Sequence, residues 1–153
     1  MYYAGIDLGT SAVKLLLMDP TGDIVKIVSR EYPIEFPQPG WSEQHPEDWW
    51  QQTLAGLEEL LSGVDREKIA GISFGGQMHG LVILDEEGRV IRPAILWNDG
   101  RTVEECDYLN REVGRQRLSR YTANIAFTGF TAPKLLWLKK HEPENFARIA
   151  KIM

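Results

Sequence analysis

The stretch Tyr2–Asp19, YYAGIDLGTSAVKLLLMD, constrains this chain more than any other. A short apolar run, Tyr2, Tyr3, Ala4 and Ile6, reaches an acidic residue, Asp7. The small turn Gly9-Thr10-Ser11 follows, and a second apolar run, Val13–Met18, leads away again. Runs this short, bounded by turn residues, read as buried strands. The spacing predicts a hairpin, with Gly9 at a position suited to positive φ. One carboxylate and two hydroxyls then sit at its tip.

That tip has a chemical use. Successive backbone N–H groups in a tight turn converge into a concavity that suits phosphate oxygens. Thr10 and Ser11 add hydroxyl donors. Asp7 repels phosphate but can hold Mg²⁺ through water, and the ion can bridge to phosphate. Lys14 is near enough in sequence to neutralise charge, although strand alternation can point it away. The plainer alternative is an ordinary hairpin with a polar tip, because short glycine motifs are common.

The rest of the chain bounds the function class. Its 153 residues, 43% hydrophobic and 25% charged, match one soluble globular domain with a real core. A net charge of -5 argues against nucleic acid as a partner. The single cysteine, Cys106, allows neither an internal disulfide nor a cysteine zinc cluster, and this fits a reducing cytoplasm. No leader pattern and no membrane-length apolar run is expected to act, so membrane partners are not anticipated.

After the turn Pro20–Asp23, the alternation of Ile24–Tyr32 predicts a third strand and a meander. Pro33–Pro46 is proline-rich and reads as a loop, with Trp41 as its packing anchor. A helix is predicted from Pro46, with Glu47 and Asp48 at its positive end. Trp50, Leu54, Leu57 and Leu61 form its apolar face, and Gly63 stops it. Lys68–Gly76 reads as a strand running into Gly75-Gly76-Gln77-Met78-His79-Gly80. The glycines there allow close approach, while Gln77 and His79 offer donors and acceptors. Taken alone, His79 reads first as a histidine satisfied by a nearby carbonyl.

A second short strand is expected at Leu81–Leu84, and Asp85–Gly88 is a turn. The apolar run Pro93–Leu96 ends in Trp97-Asn98-Asp99-Gly100-Arg101. Asp99 suits the N-cap of a helix from Gly100 to about Val113, with Val103, Cys106, Leu109 and Val113 inward. Trp97 and Asn98 stay free to line a pocket. Arg115–Tyr121 reads as a short basic helix. Thr131 suits the cap of another helix starting at Ala132-Pro133, and Glu142-Pro143 opens a last one. The closing Lys151-Ile152-Met153 looks like an element cut off at its start.

The order of elements implies an α/β fold whose mixed sheet has antiparallel strands first and a crossover strand next, with flanking helices. It resembles the N-terminal portion of the first domain of the ribonuclease H-like, actin-like ATPase fold. Ile6-Asp7-Leu8-Gly9-Thr10 looks like the first phosphate loop of that fold. Four further stretches select a branch: Pro39–Gln44 with Pro46 and Trp49-Trp50, Gly76–Gly80, Ala94–Arg101, and Gly129–Leu135. Together they resemble the FGGY carbohydrate kinases over essentially the whole chain, residues 1–153.

The resemblance implies ATP and Mg²⁺ as cofactors and a small-molecule sugar as substrate. D-xylulose comes first, through Gln77-Met78-His79-Gly80 and Thr131–Lys134. Glycerol is disfavoured, because glycerol kinases carry an Arg-Glu pair where Met78-His79 stand. By position, Gly9, Thr10 and Ser11 would hold the β- and γ-phosphates, with Lys14 beside them and Asp7 orienting Mg²⁺. Met78 and His79 match sugar-binding positions, with Gln77, Trp97, Asn98 and Asp99 second. The family's general-base aspartate and its second domain have no counterpart here. The chain is therefore expected to be a partial N-terminal kinase domain, inactive alone, and self-associating or homodimeric. Another ketose or polyol, or a non-catalytic binding module, stays open.

Overall fold

The computed structural model describes residues 1–153, which divide into two compact units. The first contains residues 1–34 and 47–77, and the second residues 35–46 and 78–153.

The first unit is built on the N-terminal hairpin. Strands β1 (Tyr2–Leu8), β2 (Ala12–Met18) and β3 (Ile24–Glu31) form the predicted antiparallel meander. After helix α1 (Pro46–Leu60) the chain returns as β5 (Ile69–Gly76), parallel to β1, giving the order β3-β2-β1-β5. Alternation sends Ala4, Ile6, Val13, Leu15, Leu17 and Val28 to one face, where they form the core with Tyr32 and Leu60. Each of the Ile, Val and Leu side chains removed from water there contributes roughly 1.5–3 kcal/mol.

Helix α1 covers that face with half of the predicted stripe, Leu57 and Leu61. Trp50 is 57% exposed and Leu54 also faces solvent, while Trp49, Leu57, Leu60 and Leu61 pack on the core. Gly56 is the reason. A Cβ there would stand 2.5 Å from Leu15 Cδ1, so the helix lies closest to the sheet along its glycine. The inward face comprises Trp49, Gly56, Leu57, Leu60 and Leu61, and a count of large side chains alone misses its glycine. Strand β3, at the other edge, is covered by stems rather than by apolar tips. Lys26 Nζ donates to Glu59 O, and Arg30 Nη2 donates to Glu59 Oε2 at 2.7 Å.

The second unit holds β4 (Glu43–Gln44) paired with β7 (Ala94–Ile95), and β6 (Ile83–Leu84) paired with β8 (Lys151–Ile152). The strand expected from Leu81 is thus shorter. Leu81 makes only a bridge to Ile95, with bonds of 2.9 and 3.3 Å. Helices α2 (Val103–Tyr108), α3 (Arg115–Thr122), α4 (Thr131–His141) and α5 (Pro143–Ala147) complete the unit. Its core joins Leu81, Ile83, Ile95, Trp137 and Leu138, with Trp41 packed against it as anticipated.

Two helix starts differ from expectation. The helix foreseen from Gly100 begins only at Val103, whose side chain is exposed, and passes into a π-helical turn at Leu109–Gly114. Asp99 does not cap it, because its carboxylate is engaged elsewhere in the unit. Thr131 lies inside α4 and makes no capping bond, so Phe130 is the N-cap. Cys106 is buried, and burial raises its thiol pKa, as befits an inert core thiol.

Candidate functional site

In the first unit the candidate site is the β1–β2 tip. Cross-strand register pairs Asp7 with Lys14 and Leu8 with Val13, leaving Gly9-Thr10-Ser11 at the bend. Directly opposed residues share a face, so Lys14 lies beside Asp7. Both side chains are exposed. On the other side of β1, Asp7 is paired with Gly75, whose Cβ position lies 3.8 Å from Asp7 Oδ1. Glycine there keeps the carboxylate accessible. A cavity of about 370 Å³ runs along this face, lined by Asp7, Lys14, Leu16, Ser73 and Gly75 among others.

The tip is held by backbone contacts. Gly9 N donates to Ala12 O at 3.1 Å, Tyr32 N to Ser11 O at 3.2 Å, and Gln77 N to Leu8 O at 2.8 Å. The Tyr32 hydroxyl donates to Gly9 O. Burial, and secondarily the charge of Asp7, push that hydroxyl up to about 12. Gly9 does not need positive φ; it is not among the residues with left-handed backbone. Its role is close approach, since a Cβ would meet Ala12 O at 3.0 Å. Gly76 plays the same part, with a Cβ position 3.0 Å from Leu8 O. No group of three His, Cys, Asp or Glu side chains gathers into a metal cage. A lone exposed carboxylate such as Asp7 suits Mg²⁺, which keeps most of its water and takes further ligands from phosphate.

The second unit resumes with the corner Met78-His79-Gly80, which Gln77 separates from the end of β5 in sequence. Met78 is 67% exposed, and His79, Trp97 and Asn98 are exposed too. Gln77 belongs instead to the first unit, tied to Leu8. His79 holds a φ of +62°, uncommon for a residue with a Cβ. Its imidazole stacks on Phe130, with centroids 4.3 Å apart and planes at 24°. Lys134 is completely buried, and its Nζ donates to His79 O at 2.7 Å and to Gly129 O at 2.8 Å. Burial lowers its ammonium to about 8, against the opposing pull of Asp99. Gly129 cannot be larger: a Cβ would lie 2.2 Å from Trp97 O.

A charged cluster supports this corner from behind. Asp99 is 1% exposed. Its oxygens accept from Ser42 N at 2.6 Å, from Arg101 N and Nε at 2.9 Å, and from Arg101 Nη2 at 2.7 Å. Arg101 also pairs with Glu43 at 2.7 Å and lies over the Trp41 ring, 3.7 Å from its centroid. Arg92 completes the cluster through Glu43. The Gly40–Gln44 and Trp97–Arg101 stretches therefore meet, with Leu96 N donating to Ser42 O at 3.0 Å and Gly100 N to Gly40 O at 2.9 Å. Asp99 spends its carboxylate on this junction, while Met78, His79, Trp97 and Asn98 remain presented. Tyr32, Phe130 and Lys134 carry no site role in the sequence reading; Phe130 and Lys134 enter it only within the Gly129–Leu135 stretch on which the family resemblance partly rests.

Residues 2–153 match the model of the FGGY family of carbohydrate kinases, N-terminal domain. The chain is 49% identical over 151 residues to the xylulose kinase of Bacillus subtilis (strain 168), covering 97% of this chain and 30% of that protein. It is 47% identical over 152 residues to the xylulose kinase of Staphylococcus xylosus, covering 99% of this chain and 32% of that one. The solved xylulose kinase from Rhodospirillum rubrum superposes with a TM-score of 0.94 at 32% identity, over 99% of this chain and 32% of that chain. The chain thus spans under a third of the length of these relatives, while its sheet order and flanking helices are those of the sugar-kinase, actin-like ATPase fold. It belongs to the FGGY family of carbohydrate kinases.

Proposed function

We propose that this chain supplies the phosphate-gripping hairpin and the sugar-facing corner of an ATP-dependent kinase that phosphorylates a sugar hydroxyl, D-xylulose first. The observation that carries the reading is the Met78-His79 pair, presented on a glycine-flanked corner in a chain whose relatives are xylulose kinases. The backbone and hydroxyls of Thr10 and Ser11 bind the β- and γ-phosphates, on the bend that Gly9 closes through its bond to Ala12 O. Lys14 offsets their charge. Asp7 holds the water shell of Mg²⁺, which when bound neutralises charge developing on the transferred phosphoryl group. Met78 packs on the carbon face of the sugar, and His79 hydrogen-bonds a hydroxyl. Trp97 and Asn98 shape the surroundings. Phosphoryl transfer depends on positioning and charge stabilisation, and these side chains contribute to both.

The proton acceptor for the sugar hydroxyl is not among these residues. Asp7 is committed to the metal and Asp99 to Arg101. We place the base in a further segment of the kinase, so this chain by itself binds without turning over. Calorimetric titration tests the reading. The chain should bind D-xylulose and Mg-ATP separately, and His79→Ala should weaken D-xylulose about tenfold, the worth of one or two hydrogen bonds. Mg-ATP affinity should not change. Equal D-xylulose affinity in the His79→Ala variant would remove the corner from the site.

A further inference from the structure

His79 is held in a left-handed backbone conformation that persists only where its surroundings over-determine it. Gly80 beside it has open space and imposes nothing. What does reach His79 is Lys134, from the first turn of α4. Its ammonium ties the carbonyl of His79 to the carbonyl of Gly129, at 2.7 and 2.8 Å. Phe130, next to Gly129, carries the ring on which the imidazole lies. One charge thus joins the backbone of the imidazole to the backbone of its stacking partner.

A buried ammonium is costly, and an apolar side chain of similar length would pack there without that penalty. The charge earns its place through geometry. We propose that Lys134 is a positioning residue that fixes the His79 imidazole against Phe130, in the orientation that meets the sugar. The proposal rests on the assignment of His79 to the sugar, and its test separates the two.

Protonation makes the latch adjustable. The charged groups around Lys134 are Asp99, of opposite sign, and Arg101, of like sign, with the His79 imidazole on the corner itself. Above about 8 the ammonium becomes an amine. Its two bonds to carbonyls then lose their charge assistance, roughly half their strength. Stability moves the other way. The folded-state pKa is depressed below the ordinary 10.5, so the unfolded chain binds more protons between the two values, and stability rises with pH across that window. D-xylulose affinity therefore falls through the window in which the fold gains stability. A lysine serving packing alone would shift stability across that window and leave D-xylulose affinity unchanged.

The experiment follows the His79 ring protons by NMR, shifted upfield by Phe130, in the wild-type chain and in Lys134→Met, with D-xylulose and Mg-ATP titrated into each. In Lys134→Met the ring protons should move downfield and D-xylulose should weaken about tenfold or more, with Mg-ATP unchanged. Ring shifts and D-xylulose affinity that both survive the substitution would overturn the proposal. If Lys134→Met does not fold, a wild-type pH series decides. Loss of the upfield shift near pH 8 supports the latch, and a constant shift to about pH 9.5 defeats it. Absence of D-xylulose binding by the wild-type chain overturns the sugar role of His79, whereas the ring shifts alone decide whether Lys134 sets its position.

Discussion

Gly129 shows how much a single position can carry. Its missing side chain lets the loop before α4 lie on the Trp97 carbonyl, 2.2 Å from where a Cβ would be. Backbone on both sides leaves no flexible atom to yield. Gly129→Ala should therefore cost about 3 kcal/mol or more, at or beyond the upper end of overpacking penalties. Urea unfolding followed by tryptophan fluorescence reads it, and a midpoint equal to wild type would show that the loop can move away. Other single residues resist reading from sequence for one shared reason. Asp99 looks like a helix cap because capping is a local pattern, yet one of its oxygens is taken by Ser42 N from a distant stretch of chain, and its neighbour Arg101 engages both. Lys134 sits in an apolar run and is recognisable only once the carbonyls of His79 and Gly129 are seen to converge on it.

The elements themselves were more legible where alternation was strong. The hairpin β1–β2, the third meander strand and the parallel return of β5 all follow from period-two patterns and turn residues. The phosphate-loop candidates Asp7 and Lys14 share a face, as direct cross-strand pairing requires. Helix α1 was legible in extent but not in orientation, since Gly56 rather than a large residue marks its line of contact. That distinction is measurable. Trp49→Ala should cost about 3 kcal/mol, whereas the exposed Trp50→Ala should fall within about 1 kcal/mol of wild type. Equal losses, or a larger loss at Trp50, would contradict the observed face. The helix expected over 100–113 is present from Val103 onward, with Cys106 inward as expected, but both of its ends differ. Its first turn is drawn into the Asp99–Arg101 junction, and its far end widens into a π-helical turn.

At the scale of the whole molecule, the two units carry different parts of one proposed chemistry. The first presents backbone donors, hydroxyls, one lysine and one carboxylate at a hairpin tip. The second presents a stacked imidazole and a methionine on a glycine-flanked corner. No helix is long and apolar enough to cross a membrane. Strand β5 lies at one end of the first unit's sheet, with Phe74 73% exposed. The most direct test is a residue-resolved NMR titration of this chain. D-xylulose should shift the signals of Met78, His79 and Trp97 and leave Gly9–Ser11 still, while Mg-ATP should shift Gly9, Thr10, Ser11 and Lys14. Shifts from both ligands confined to other residues, or none at saturating ligand, would contradict the assignment of hairpin to phosphate and corner to sugar.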